Sequence, residues 1–166
     1  YMIGNSHIDP VWMWRWQEGF QEIKATFRSV LDRMKEYEAF IFTGSSASFY
    51  EWAEENDPAM FEEIKERVKE GRWIIVGGWW IQPDCNAPAG ESYVRQGLYG
   101  RKYFEEKFGV KAVCGYNVDS FGHNGNLPQI LKKSGMDYYV FMRPGRHEKG
   151  VDGETFLWKS ADGSQV

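Results

Sequence analysis

The sequence predicts an α/β fold built on a parallel sheet, and two features of its 166 residues indicate this. Short apolar runs typical of buried strands alternate along the chain with longer segments in which apolar residues recur at helical spacing. A polar loop, often containing glycine, follows most of these runs. Such alternation is typical of β/α units, whose right-handed crossovers make the strands parallel and bring their carboxyl ends to one face.

Six apolar runs are predicted strands. They cover residues 1–4, 40–43, 73–76, 112–116 and 138–142, with a weaker sixth at 155–158. This number is too small to close a β/α barrel, which typically needs about 250 residues. The sequence also starts inside a predicted strand without an initiator Met and stops just after an Asp-Gly turn. We therefore expect an open sheet or the incomplete N-terminal portion of a β/α barrel in a longer chain.

Helical spacing predicts five helices between the strands, at residues 16–37, 47–55, 58–70, 91–108 and 126–131. The first helix carries an apolar stripe formed by Phe20, Ile23, Phe27, Val30, Leu31 and Met34. Asp57-Pro58 is a favourable start for the third helix, because Asp is a common N-cap and Pro fits the first turn. In the fourth helix we expect Val94, Leu98 and Phe104 to face inward.

Composition and charge narrow the function classes. The net charge is −4 and no run is rich in Lys or Arg, which argues against nucleic-acid binding. No apolar run approaches the roughly 20 residues of a membrane span, so we expect no membrane segment. Cys85 and Cys114 do not form a CxxC pair, which favours a reduced, cytoplasmic setting while leaving one disulfide open. The oligomeric state also stays open, a homo-oligomer included.

The polar residues after the first and fourth predicted strands are candidate metal ligands. His7 and Asp9 lie one residue apart, and in an extended segment such side chains point the same way. Asp119 follows the fourth strand and would reach the same face of a parallel sheet. One imidazole and two carboxylates suit Zn²⁺, with a substrate oxygen as the fourth ligand. Taken alone, each residue is more typical of a capped or hydrogen-bonded loop than of a metal site.

Four segments together resemble the N-terminal catalytic domain of α-mannosidases of glycoside hydrolase family 38. They are His-Ile-Asp-Pro-Val-Trp at 7–12, Gly-Gly-Trp-Trp-Ile-Gln-Pro-Asp-Cys-Asn at 77–86, Gly-Glu-Ser-Tyr-Val-Arg-Gln at 90–96, and Asp-Ser-Phe-Gly-His-Asn-Gly-Asn-Leu-Pro-Gln-Ile-Leu at 119–131. The resemblance implies a seven-stranded parallel β/α barrel. It also implies a zinc-dependent, retaining enzyme that acts on α-mannoside oligosaccharides.

The resemblance assigns roles to residues of this chain. It makes His7 and Asp9 zinc ligands, and Asp119 both a zinc ligand and the catalytic nucleophile. Trp12 matches the ring that stacks on mannose, and Arg143 resembles an arginine near the nucleophile. The family's last zinc-binding His and its acid/base Asp have no counterpart before residue 166, so the rest of a longer chain is an implied partner.

Several alternatives remain open from the sequence. Asp84 either binds a sugar hydroxyl or orders its own loop, and Trp79 and Trp80 either stack on a sugar or pack in a core. Cys85 is expected to be a small buried filler with an ordinary thiol. As a whole, the chain could instead belong to a metal-dependent polysaccharide deacetylase, or be a carbohydrate-binding fragment without turnover.

Overall fold

The computed structural model describes residues 2–150 and 153–166, whose strands form two parallel sheets. The first sheet has the order β1-β2-β3, and the second pairs β4 with β5. The strands are β1 (Gly4–Asn5), β2 (Phe42–Gly44), β3 (Trp73–Ile75), β4 (Cys114–Asn117) and β5 (Tyr138–Phe141). The predicted parallel α/β arrangement is therefore confirmed, although the described strands do not form a closed barrel. Tyr1, the start of the first predicted strand, lies outside the described residues.

Helices connect the strands at nearly the predicted positions. They are α1 (Trp16–Glu36), α2 (Ala47–Asn56), α3 (Pro58–Lys69), α4 (Gly90–Phe108), α5 (Leu127–Lys133) and the short α6 (Arg146–Lys149). The whole apolar stripe of α1 is buried, as its spacing predicts. Asp57 caps α3 by accepting a hydrogen bond from the backbone N–H of Met60 at 3.1 Å. No helix in the described part of the chain combines the length and apolar character needed to cross a bilayer.

An aromatic core fills the space between the first sheet and helices α1 to α4. Trp73 is its centre, and its indole N–H donates to the hydroxyl of Tyr50 at 2.8 Å. The rings of Phe27 and Phe42 pack edge-on against Trp73, with centroids 5.1 and 4.7 Å away. Edge-to-face packing of this kind adds to the burial of apolar area. This core fixes the sheet from which the first site residues project.

The two sheets meet through the loop that follows β3. The backbone N–H of Gly77 donates to the carbonyl of Cys114 at 2.7 Å. Further along the loop, the indole N–H of Trp79 donates to the side-chain oxygen of Asn117 at 2.9 Å, and Asn117 donates to the carbonyl of Pro83 at 3.0 Å. These contacts bring the end of β4 beside the loop that follows β3.

Helix α4 does not present the predicted face. Phe104 is buried, but Val94 and Leu98 are 48% and 59% exposed. The helix instead lies directly on the backbone of the loop after β3, where a Cβ on Gly100 would collide with the carbonyl carbon of Trp79. Only a residue without a side chain permits that approach. The inward face of α4 is therefore set by its glycines rather than by its aliphatic residues.

Two further sequence expectations are settled by the structure. The predicted strand at 155–158 is wrong, because this segment forms no strand and the neighbouring structure is a single antiparallel bridge between Lys159 and Gln165. The disulfide left open by the sequence is not formed, since Cys85 and Cys114 are both free thiols.

Candidate functional site

The structure brings together residues from the carboxyl ends of three strands. His7 and Asp9 follow β1, Asp119 follows β4 and Arg143 follows β5. Because the strands within each sheet are parallel, the loops that follow them leave from one edge of their own sheet, and side-chain contacts join the two edges. We call His7, Asp9, Asp119 and Arg143 the strand-end site.

The histidine of the strand-end site contacts both carboxylates. His7 Nε2 lies 3.3 Å from Asp9 Oδ1 and 3.8 Å from Asp119 Oδ2. The three side chains are partly exposed, at 29%, 45% and 28% respectively. The short extended segment after β1 thus aims residues 7 and 9 at a point that Asp119 reaches from the second sheet.

Arg143 holds the other side of Asp119. Its Nε lies 2.6 Å from Asp119 Oδ1, which is the distance of a charge-assisted hydrogen bond. The guanidinium also lies over the ring of Phe121, with its carbon 4.8 Å from the ring centroid. The two oxygens of Asp119 therefore have different neighbours, because one faces Arg143 and the other faces His7.

The donor set of this site fits a zinc ion. An imidazole nitrogen and two carboxylate oxygens are ordinary zinc ligands, and bonds of about 2.0–2.1 Å in a tetrahedron place the donors about 3.3 Å apart. The distances from His7 to the two carboxylates, 3.3 and 3.8 Å, are close to this spacing. The described part of the chain contains no ready-made group of three such ligands, so a metal would have to draw these side chains together.

An exposed indole stands near the strand-end site. Trp12 is 63% exposed and makes an edge-on contact with Trp14 at a centroid distance of 5.3 Å. Trp14 in turn donates from its indole N–H to the backbone carbonyl of Asp9 at 3.1 Å. This arrangement ties the tryptophan segment to the Asp9 loop and leaves the ring of Trp12 accessible.

Asp84 and Trp79 have contacts that order the loop after β3. Asp84 Oδ1 accepts hydrogen bonds from the backbone N–H groups of Ala87 and Asn86, both at 2.8 Å, and these lower the pKa of its carboxyl group. Trp79 is 1% exposed, so its ring belongs to a core rather than to a sugar-binding surface. The contacts of Asp84 match the loop-ordering alternative, and its sugar-binding role remains a prediction.

A buried polar cluster lies behind the strand-end site, and sequence reasoning missed it. We define it as the buried Cys85 and Ser120 with the partly buried His123 and Tyr139. Burial opposes ionisation of the Cys85 thiol, but the neighbouring His123, Ser120 and two tyrosines lower its pKa overall. The expected filler role of Cys85 is therefore only half right, because the residue is buried but its thiol is polarised. The local sequence carries no signal for this cluster, because Cys85 lies on a different loop from Ser120 and His123.

The fold and the strand-end site together define a β/α domain with its polar residues gathered at the ends of parallel strands. Residues 1–166 match the model of the glycosyl hydrolases family 38 N-terminal domain, and the chain belongs to this family.

Curated relatives agree with that assignment. Alpha-mannosidase G of Dictyostelium discoideum is 35% identical over 167 aligned positions, which cover 100% of this chain and 15% of the relative. Alpha-mannosidase of Saccharomyces cerevisiae (strain ATCC 204508 / S288c) is 31% identical over 168 positions, covering 100% of this chain and 16% of the relative. This chain thus spans less than a fifth of the relatives it matches.

A solved structure supports the fold. The crystal structure of an alpha-mannosidase from Enterococcus faecalis V583 superposes with a TM-score of 0.86 over 99% of this chain and 19% of that chain. The two sequences are 23% identical, so this likeness supports the fold alone.

Proposed function

We propose that the full-length protein containing this sequence is a zinc-dependent, retaining α-mannosidase that removes terminal α-linked mannose. Family membership and the names of the curated relatives support the class of activity. The observation that carries the mechanism is the placement of Asp119 between Arg143 and His7. A retaining glycosidase needs a carboxylate nucleophile, and these contacts hold the Asp119 carboxylate in place at the end of a strand.

Asp119 is proposed to act as the nucleophile. One of its carboxylate oxygens attacks the anomeric carbon, the bond from that carbon to the leaving oxygen breaks, and a glycosyl ester forms on Asp119. A general acid protonates the leaving oxygen, and water later cleaves the ester with inversion at the same carbon. Two inversions return the starting configuration. We assign the acid to no residue of this chain.

Arg143 prepares Asp119 for this attack. Its hydrogen bond to Oδ1 fixes the carboxylate plane before substrate arrives. Fixing the geometry of a reacting group in advance removes part of the entropic barrier. Trp12, whose ring is accessible, is proposed to pack against the C–H face of the bound mannose. Asp84 is a second, weaker candidate for a sugar hydroxyl.

His7, Asp9 and Asp119 are the residues that would hold the zinc ion, one per catalytic domain. When bound, the ion would supply a chelating centre for the vicinal cis hydroxyls at C2 and C3 of mannose, which glucose does not offer. The chain's own residues bind it through one neutral imidazole and two carboxylates. Two free thiols in the same chain favour a reducing compartment, and we propose a cytoplasmic location.

A mechanism-based fluorinated mannosyl probe tests the reaction. Such a probe forms the glycosyl ester quickly and loses it slowly, so the adduct can be located by mass spectrometry of proteolytic peptides. In the full-length protein we expect one adduct, on Asp119. The Asp119→Asn variant should not be labelled, and His147→Ala, which alters an exposed histidine, should label like the wild type.

Other outcomes identify the alternatives. An adduct on a different carboxylate would remove the nucleophile role from Asp119. A protein that takes up no probe but releases acetate from an acetylated polysaccharide would be a deacetylase. Mannose-dependent quenching of tryptophan fluorescence without hydrolysis would indicate a binding protein.

A further inference from the structure

The buried polar cluster connects three strand-end loops behind Asp119. Cys85 lies in the loop after β3, Ser120 and His123 lie in the loop after β4, and Tyr139 belongs to β5. The thiol of Cys85 is 1% exposed, and its Sγ lies 3.2 Å from Ser120 Oγ. Because Ser120 directly follows Asp119, this contact ties the loop after β4 to the loop after β3. We call the loop after β4, which carries the proposed nucleophile, the nucleophile loop.

His123 uses both of its ring nitrogens within this region. Nε2 contacts the backbone carbonyl of Arg143 at 2.5 Å, and Nδ1 lies 2.9 Å from the hydroxyl of Tyr139. A carbonyl can only accept, so Nε2 must carry a proton and donate it. In the neutral ring Nδ1 is then the acceptor for the hydroxyl of Tyr139. The contacts fix both the tautomer and the orientation of the imidazole.

Packing holds the same ring in place. The ring of Phe141 lies 4.7 Å from the imidazole centroid, and Trp158 lies edge-on at 6.1 Å. Burial opposes protonation of His123, but the nearby Cys85 thiol and the hydrogen bond to the Arg143 carbonyl raise its pKa overall. The ring is partly exposed, and these contacts hold it in one orientation.

The nucleophile loop holds both the backbone and the side chain of Arg143. Its backbone carbonyl accepts from His123, and its side chain donates to Asp119 at 2.6 Å. Asp119 and His123 are separated by only three residues of one loop. The contacts therefore form a closed ring that runs from Asp119 along the loop to His123, across to the Arg143 backbone, and back through its guanidinium.

We propose that His123 is a positioning residue for the nucleophile, acting through Arg143, with Tyr139 fixing its tautomer. This proposal rests on the proposed function, because it takes Asp119 as the nucleophile. Loss of His123 frees the Arg143 backbone, and the guanidinium then no longer holds Asp119 in the attacking orientation. His123 itself touches neither substrate nor metal in this role.

A double-mutant cycle in the full-length protein tests the proposal. We expect His123→Ala to lower kcat for an aryl α-mannoside by about 10²-fold with little change in KM, the size of effect caused by a small misplacement. In an Arg143→Ala background, the same change should lower kcat by less than about 3-fold, because residues that act as one unit are not additive. Equal losses in both backgrounds would overturn the proposal.

Conservative variants separate positioning from simple loss of structure. His123→Gln keeps an N–H donor for the Arg143 carbonyl and should restore much of kcat. Tyr139→Phe removes only the hydroxyl that fixes the tautomer and should cause a smaller loss than His123→Ala. His147→Ala is the matched control and should be unchanged. If His123→Ala does not fold, the other two variants decide the proposal. It is overturned if Tyr139→Phe keeps the wild-type kcat and His123→Gln folds but is inactive.

A structural readout keeps this test separate from the proposed function. Crystal structures of the full-length His123→Gln and Tyr139→Phe variants, and of His123→Ala if it folds, show directly whether the Arg143–Asp119 ion pair is kept. The pair should persist in His123→Gln and be displaced in His123→Ala. Persistence of the 2.6 Å contact in His123→Ala would overturn the positioning role whatever reaction the protein catalyses. Failure of the wild type to hydrolyse α-mannosides would instead overturn the proposed function alone.

Discussion

The two sheets of this domain are stabilised in different ways. The first sheet rests on an aromatic core in which Trp73, Tyr50 and Phe104 are almost fully buried. In the second sheet, the alternate β5 residues Tyr138 and Val140 are 65% and 45% exposed. A smaller apolar cluster that includes Leu127, Leu131 and Met136 packs against Tyr139 of β5, and polar contacts among loops hold the ends of the strands.

This difference predicts that the residues that stabilise the fold are distinct from the residues of the candidate site. The first sheet contributes His7 and Asp9 on a short loop after its edge strand β1. The second contributes Asp119 and Arg143, whose positions depend on hydrogen bonds and one ion pair. Substitutions in the aromatic core should therefore change stability with little effect on rate, and substitutions behind Asp119 should do the reverse.

The largest expected effect comes from Asp119, the proposed nucleophile, which follows β4 of the second sheet. Asp119→Asn should lower kcat by about 10⁴-fold or more, since loss of a nucleophile removes the covalent route. The fold should persist, because Asn has the shape of Asp and the side chain is 28% exposed. Steady-state hydrolysis of an aryl α-mannoside measures the loss. Asp137→Asn, an exposed carboxylate at the start of β5, is the control, and near-normal turnover by Asp119→Asn would refute the assignment.

Loss of either proposed zinc ligand after β1 should give the next largest effect. His7→Ala and Asp9→Ala should each strip zinc from the purified full-length protein, because each removes one ligand from a small donor set. Elemental analysis by mass spectrometry gives the zinc content per chain. Stoichiometric zinc in both variants would place the metal elsewhere. His123→Ala should retain zinc, which separates the two kinds of histidine.

A substitution in the aromatic core of the first sheet tests whether that core affects stability without affecting the rate. Tyr50→Phe leaves the indole N–H of Trp73 without its acceptor in a dry core, at a cost of about 1–3 kcal/mol. Hydrogen–deuterium exchange of peptides from α2 and β3 should accelerate, while kcat changes little. Tyr99→Phe, at a 52% exposed position, is the control. A large loss of kcat with unchanged exchange would break the proposed division between the sheets.

The smallest expected effect is the pH dependence of an ion pair on the helices. The Arg28 guanidinium lowers the pKa of Glu63 from the ordinary 4.5 to about 2. A lowered carboxyl pKa stabilises the fold fully above the unfolded value, and this contribution is lost as the pH falls from 4.5 toward 2. The pair is partly exposed, so Glu63→Gln should cost only about 0.5–1 kcal/mol at neutral pH.

Exchange of α3 peptides again provides the measurement. The difference between wild type and Glu63→Gln should shrink as the pH falls below the ordinary carboxyl range. Glu38→Gln, at an exposed carboxylate, should show no such change. A difference that grows on acidification would contradict the assigned sign.

Patterns local to the sequence predicted most of the fold. The α1 stripe, the Asp57 cap and the β/α alternation depend on residues close together in the chain, so spacing alone reveals them. The inward face of α4 was predicted wrongly, because Gly97 and Gly100 carry no hydrophobic signal. Their importance arises only when the backbone around Trp79 lies against the helix.

The candidate site could be predicted in part for the same reason. His7, Asp9 and Asp119 stand directly at strand ends, where topology alone brings them together. The buried polar cluster could not be predicted, because Cys85 meets Ser120 only through the folding of two separate loops. The polarisation of its thiol follows from that contact and has no counterpart in the local sequence.

The docking of the two sheets has a consequence for the order of folding events. Each sheet pairs only strands that are neighbours in the chain, so the pairing within one sheet does not require the other sheet. The Gly77–Cys114 hydrogen bond, by contrast, forms only when one preassembled sheet meets the other. During refolding we therefore expect Trp73 to become buried early and the His7–Asp119 contact to form late. The chemistry of this domain would then be the last property to emerge.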